Sequence, residues 1–258
     1  MIDRKYGWRP QRPDFRDRTF AIAPIETLPA SADLRPGMPP VWNQGSLGSC
    51  TAFASCAAFA YDETRQKLTP FEPSQLFQYF SERQRDSDID RDGGSTIRTA
   101  VKSLAGTGVP RIDLWPYDTS KFAQTPPTEA YTDALLHKAT EYGSIPQVEY
   151  NIKHAIAGGF PVIFGATIYQ SFESGSVAKT GIVPMPQLSE SVCGGHALLI
   201  CGFSDDVELI PGIKGWFTVR NSWGPDFGDA GYVYFPYGYV TNPGLASDFW
   251  CVTGIERS

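Results

Sequence analysis

Eleven consecutive residues, TAFASCAAFAY at positions 51–61, offer water almost nothing to solvate. A helix built from them has no polar face, so it must be enclosed on most of its sides. That requires a chain long enough to surround a central helix. The 258 residues suffice for one large domain or for two lobes around a shared cleft. Ser49 is placed as the N-cap, which starts the helix at Cys50, and the charged DETRQK at 62–67 marks its emergence into solvent.

The rest of the first half also reads as helical: PSQLFQYFSERQR (73–85), STIRTAVKSLAG (95–106) and PPTEAYTDALLHKAT (126–140). The character changes near residue 145. PVIFGATI (161–168), HALLICGF (196–203), GWFTVRNSW (215–223) and GYVYFPY (231–237) are β-rich runs separated by Gly, Pro and Asp. The expected organisation is α+β: a basic, proline-stiffened arm at 1–27, a helical lobe at 28–145 and a β lobe at 146–258. The first twenty residues hold six Lys/Arg against three Asp, whereas the whole chain has a net charge of −6, so an acidic body carries a basic arm. Such a body argues against nucleic acid as a partner. No apolar run reaches membrane-spanning length. The N-terminus has charges with no apolar core behind them, which is not a secretory signal in this form. The expected location is cytoplasmic by default, with non-classical export left open. The five cysteines, Cys50, Cys56, Cys193, Cys201 and Cys251, are then expected to be reduced.

Cys50 stands where a glycine-rich loop becomes a helix. On its own it is open to four readings: packing, a metal ligand, half of a disulfide, or a nucleophile. The free N–H groups and dipole of a helix start favour an anion, and the thiolate is the nucleophilic form of cysteine. A nucleophile needs a base and a group that orients the base. Of three histidines, His137 falls in a mostly polar helical segment and reads as a surface residue, as does His154 in NIKHAIAGG (151–159). His196 follows two glycines and begins an apolar strand. Asn221 ends another β run, where Trp223 can shield it. Gln44, six residues before Cys50, offers a side-chain amide which, with the Cys50 backbone N–H, can hold a developing oxyanion.

NQGSLGSC (43–50), GGHALLICGF (194–203) and VRNSWG (219–224), in this order, resemble the papain-like cysteine peptidases, cathepsins included. LPASADLR (28–35) is similar to the start of a mature domain of that family, and DGG (92–94) to its glycine pair that bonds substrate backbone. The resemblance covers roughly residues 28–258 and implies a two-lobed fold, a helical lobe and a β-barrel-like lobe with a cleft between them. It implies Cys50 as nucleophile, His196 as base and acid, Asn221 as orienter and Gln44 as oxyanion donor, with Gly93, Gly94, Trp223 and Asp248 as substrate-binding candidates. The implied reaction is endopeptidase cleavage of a peptide or protein through a thioester, with no cofactor and no metal. A thioester-based transferase or peptide ligase, and a non-enzymatic binding module on the same fold, remain the alternatives. Asp248 reads equally as a solvated loop or capping residue.

The chain departs from the family at three points. Secreted relatives have a disulfide cysteine where Leu47 stands, and Trp where Thr51 stands. Their prodomain is long and helical, whereas here only about 27 residues precede LPASADLR. DIDRDGG (88–94) opens like a calcium loop, but Thr99 occupies the twelfth position, where such loops need a bidentate Glu. Cys193, His196 and Cys201 lack the fourth ligand of a closed zinc site. The arm carries Trp8, Phe15 and Phe20, which a free tail has little reason to expose. It is therefore expected to fold back, either as a short autoinhibitor in the cleft, making the chain a zymogen, or as a clasp between the lobes.

Overall fold

The computed structural model describes residues 4–21, 23 and 25–255. The elements run in the order β1 (Ser31–Asp33), α1 (Cys50–Arg65), α2 (Gln75–Arg85), α3 (Ile97–Gly106), α4 (Thr128–Ala134), β2 (Ala139–Ser144), α5 (Glu149–Ala157), β3 (Val162–Tyr169), α6 (Gly175–Thr180), β4 (Val192–Ile210), β5 (Ile213–Arg220), β6 (Tyr232–Pro236), α7 (Tyr237–Val240) and β7 (Ala246–Ile255).

Helix α1 begins at Cys50 and is buried from there through Glu63, as a helix without a polar face must be. Its start lacks the usual cap: the Ser49 hydroxyl bonds the Tyr117 hydroxyl at 2.7 Å and leaves the backbone N–H groups free. By contrast, α2 and α3 are capped by the side chains of Ser74 and Thr96, which accept from the Phe77 and Thr99 amides. Helix α4 is shorter than expected. After Ala134 the chain is drawn into another pairing, in which the Val109 amide donates to the His137 carbonyl at 3.0 Å. Leu135 and Leu136 are left exposed.

The sheet is antiparallel throughout, in the order β2-β7-β3-β4-β5-β6, with β1 pairing with the second half of β4. Its alternation builds two cores. Ile163, Ala197, Leu199, Trp250 and Val252 turn toward Cys50, Ala54 and Ala57 of α1. Phe164, Ala166, Leu198 and Ile200 turn the other way, to Ile152 and Ile156 of α5 and to Phe217, Val219 and Phe235. The two-lobed α+β expectation holds, but the sheet is open where a barrel-like lobe was expected, with β2 and β6 at its ends. Both ends are covered: Arg18–Phe20 of the arm pair with Ser144 on β2, and Gly181–Val183 pair with Tyr234 on β6. Covering the edges does what closure would do for their unpaired backbone groups. No helix of the described residues is long and apolar enough to cross a membrane.

Candidate active site

The cleft lies where the start of α1 meets the first half of β4. The Ala197 amide donates to Cys50 Sγ at 3.3 Å, so the sulfur rests against the strand one residue from His196. His196 Nε2 is 2.8 Å from Asn221 Oδ1. That oxygen also accepts from the Ser222 amide at 2.8 Å, which fixes the direction of the Asn221 side chain. His196 Nδ1 has no partner among the described residues and is the ring nitrogen left for proton exchange. Trp223 covers the imidazole with ring centroids 5.1 Å apart.

Gln44 is held on three sides. Its Oε1 accepts from the Ser222 hydroxyl at 2.6 Å, its backbone oxygen accepts from the Tyr117 hydroxyl at 2.8 Å, and its Nε2 donates to the Leu47 carbonyl at 2.8 Å. The second amide hydrogen of Nε2 faces the cleft, where it reaches the Lys5 carbonyl at 3.3 Å. Beneath the loop, Thr51 donates to the buried carboxyl of Glu82 at 2.5 Å, and Gln78 donates to the same group at 3.1 Å. Burial pushes Glu82 up to about 8. Thr51, in the place of the family's Trp, therefore ties helix α1 to α2 by a polar contact.

The arm fills the cleft. Arg4 lies 4.1 Å over the Trp223 ring, and Tyr6 sets its edge against His196 with centroids 5.8 Å apart. Gly7 packs so closely on Gly48 and Gly94 that a side chain at any of these three would collide with the opposing backbone or come within 3.3 Å of it. Trp8 donates its amide to the Gly195 carbonyl at 2.9 Å, and Ser95 receives the arm as a strand would, accepting from the Arg9 amide at 2.9 Å and donating to the Gly7 carbonyl at 2.8 Å. The Trp8 indole is buried on Gly165 and Gly195, where any side chain would overlap it, and its Nε1 donates to Asp248 Oδ2 at 3.1 Å. Asp248 also accepts from the Gln11 amide at 2.9 Å, and burial raises its pKa.

The covered site is electrically quiet. Cys50 and His196 are fully buried. Burial lifts the thiol to about 11, against the pull of the Ala197 and Gly7 amides. Burial likewise brings the imidazole down to about 4; Asn221 opposes this and the Arg4 guanidinium adds to it. Burial thus favours the neutral form of both groups while the arm is in place.

Gln44, Cys50, His196, Asn221 and Trp223 are brought together, Gly94 meets the arm at Gly7, and Asp248 meets it at Trp8 and Gln11. Gly93 adjoins Asp88, whose oxygen lies 3.0 Å from where a Cβ would stand. The calcium-like carboxylates diverge: Asp88 pairs with Arg91 at 2.8 Å, and Asp92 turns to Gly48, Tyr79 and Lys5. His137 and His154 are half-buried, not solvated. His137 packs on Phe71 at 4.5 Å, and His154 accepts from the Ile25 amide at 3.2 Å. All five cysteines are free thiols, Cys193 exposed and the others buried. Ser222, which holds Gln44, was within reach of sequence reasoning because it sits inside the VRNSWG motif. Tyr117 carries no such signal.

Residues 28–253 match the model of the papain family cysteine protease. The chain belongs to the papain family. It is a cysteine peptidase, a hydrolase. It is 38% identical, over 98% of its own length and 88% of the other's, to an uncharacterized peptidase C1-like protein of Acanthamoeba polyphaga mimivirus. It is 30% identical to a cathepsin B-like protein of Giardia intestinalis, over 76% of this chain and 63% of that one. Among solved structures, xylellain, a cysteine protease from Xylella fastidiosa, superposes with a TM-score of 0.86 at 33% identity, covering 99% of this chain and 97% of that one.

Proposed function

We propose that this papain-family chain is an endopeptidase that works through a thioester and is held inactive by its own first residues. Cys50 Sγ attacks the scissile carbonyl carbon while Gln44 Nε2 and the Cys50 amide hold the oxygen. His196, oriented by Asn221, passes the sulfur's proton to the leaving nitrogen as the C–N bond breaks. Water then attacks the thioester, gives its proton to His196 and restores the thiol. Gly93, Gly94, Trp223 and Asp248 line the path of the peptide.

One observation carries the reading. A stretch of extended peptide, Lys5 to Arg9, already lies in the cleft, with a carbonyl on Gln44 Nε2 and strand-like bonds to Ser95. A cleft that accepts backbone in this way fits a peptide substrate. The same stretch supports autoinhibition, since it buries the sulfur and suppresses both charges of the thiolate–imidazolium pair. Cys50→Ala in the full chain tests the mechanism with a fluorogenic peptide. Turnover should vanish while the melting temperature stays near that of the wild type, and retained wild-type cleavage would refute the assignment. Product analysis with added amines separates hydrolysis from ligase or transferase chemistry.

A further inference from the structure

Glu63 is a buried carboxyl that the mechanism above does not use. It lies on α1 near the end remote from Cys50, about 20 Å away along the helix axis. The residue is 3% exposed. Among the described residues it joins no ion pair, and its one hydrogen bond comes from the Phe71 amide at 3.4 Å. The nearby guanidinium groups are engaged elsewhere: Arg65 pairs with Asp62 and bonds the Thr253 carbonyl at 2.8 Å, and Arg111 pairs with Asp133 at 3.0 Å. Burial without a countercharge pushes Glu63 up to about 8, against the pull of the Phe71 amide. A carboxyl left in this condition costs the fold stability.

Glu63 also lines a cavity of about 270 Å³. Phe59, Leu68, Phe71 and Ile255 form its apolar wall, and the exposed Lys67 stands at its rim. His137 completes the lining, its ring 4.5 Å from that of Phe71 between centroids. Burial lowers the His137 pKa against the pull of Asp133, which favours the neutral ring. Its Nε2 lies 3.8 Å from Asp133 Oδ2, so a proton placed there leaves Nδ1 as an acceptor. We propose that this cavity is a binding site for a small primary ammonium with an apolar stem. The ammonium donates to Glu63 and His137 and lies against the aromatic wall, and the stem fills the space beside Leu68 and Ile255. An anion would be repelled by the ionised carboxyl. A neutral apolar guest would leave that carboxyl uncompensated. A carboxylate and one imidazole are too few ligands for a metal ion, and no third such group joins them among the described residues. The volume lies just below that of sites for drug-sized molecules, so the guest has on the order of ten non-hydrogen atoms.

The test involves no cleavage, so its outcome is independent of the peptidase mechanism. Phenethylammonium and its uncharged counterpart, phenethyl alcohol, are titrated into the full chain at pH 8, and binding is followed by NMR of the histidine rings. The ammonium should bind about tenfold more tightly than the alcohol, as suits one charge-assisted contact in a buried site. It should shift the His137 signals and leave those of His196 in place. Glu63→Gln keeps the shape of the side chain and should weaken the ammonium about tenfold while leaving the alcohol unchanged. Equal affinity for the two probes overturns the proposal, as does no binding of the ammonium. So does a response at His196 without one at His137, which would place the ammonium in the cleft. Undiminished ammonium binding in a folded Glu63→Gln protein overturns it as well. If that variant does not fold, the two wild-type probes and the His137 signals decide the matter by themselves.

Discussion

The arm contains two stretches that grip the body with opposite polarity. Residues 4–11 bring cations to carboxylates: Lys5 to Asp92 at 2.7 Å and Arg9 to Asp86 at 2.6 Å. Residues 14–20 reverse this, with Asp17 meeting Arg98 and, at 3.7 Å, Lys102. The first stretch covers the sulfur and buries Trp8. The second exchanges backbone bonds with Ser144 at the sheet edge and packs Phe20 on Phe160, 5.6 Å between centroids. The contacts that cover the sulfur and the contacts that tie the arm to the sheet edge are thus made by different residues. A segment can anchor and obstruct at once if its two ends do the two jobs.

This division can be broken most sharply at the sulfur. In the full chain Cys50 is a buried thiol whose pKa is pushed up to about 11. Its alkylation by iodoacetamide at pH 7 should be slow and should accelerate as pH rises and the thiolate forms. A chain beginning at Arg12 should react about a hundredfold faster, because thiolate character controls the rate. Equal rates would mean that residues 4–11 do not shield the nucleophile. The same truncation should raise kcat/KM on a small peptide about tenfold, the gain expected when a site open a tenth of the time becomes always open. A fall in activity would instead make these residues part of the working enzyme. Asp17→Ala should act on stability alone. It leaves Arg98, a largely buried cation, without its carboxylate, and loss of such a contact costs about 1–3 kcal/mol. The melting temperature should drop by a few degrees, roughly 3 °C per kcal/mol, without any rise in activity. A rise in activity would erase the distinction between the two stretches. Arg9→Ala should have the smallest effect, less than about a twofold gain in activity, because Arg9 is partly exposed and such pairs are weak.

Much of the site was legible because its parts are local in sequence. A glycine-rich loop entering an apolar helix, a glycine pair before a strand-start histidine and an asparagine before a tryptophan each announce themselves within ten residues. Helix α1 was legible for the same reason, its burial being written in its composition. The features that escaped depend on distant partners. His137 looked solvated until Phe71 was brought against it. Helix α4 stopped early because the segment around Val109 competes for the chain beyond Ala134. The open sheet followed from edges being covered by the arm and by the loop around Gly181, which no strand pattern can reveal. Phe15, counted among the aromatics that should not be exposed, is 98% exposed in the turn that opens the second stretch. That turn needs residues that leave the surface, and an apolar side chain there is carried along. Asp92 was read as part of a failed calcium loop and of the DGG motif; its contacts with Gly48, 44 residues away, and with Lys5 in the arm are not local and could not be read.

The grip at Asp17–Phe20 has a consequence for how strongly the first stretch needs to bind. Anchored there, Lys5 to Gln11 cannot diffuse away, and the cleft meets them at the millimolar effective concentration typical of short tethers. Occupancy is then independent of how dilute the protein is, and modest contacts suffice to keep the cleft filled. A single cut in the exposed turn around Phe15 would leave every contact of the first stretch in place. It would nonetheless turn an intramolecular equilibrium into a bimolecular one, in which the freed peptide is lost by dilution.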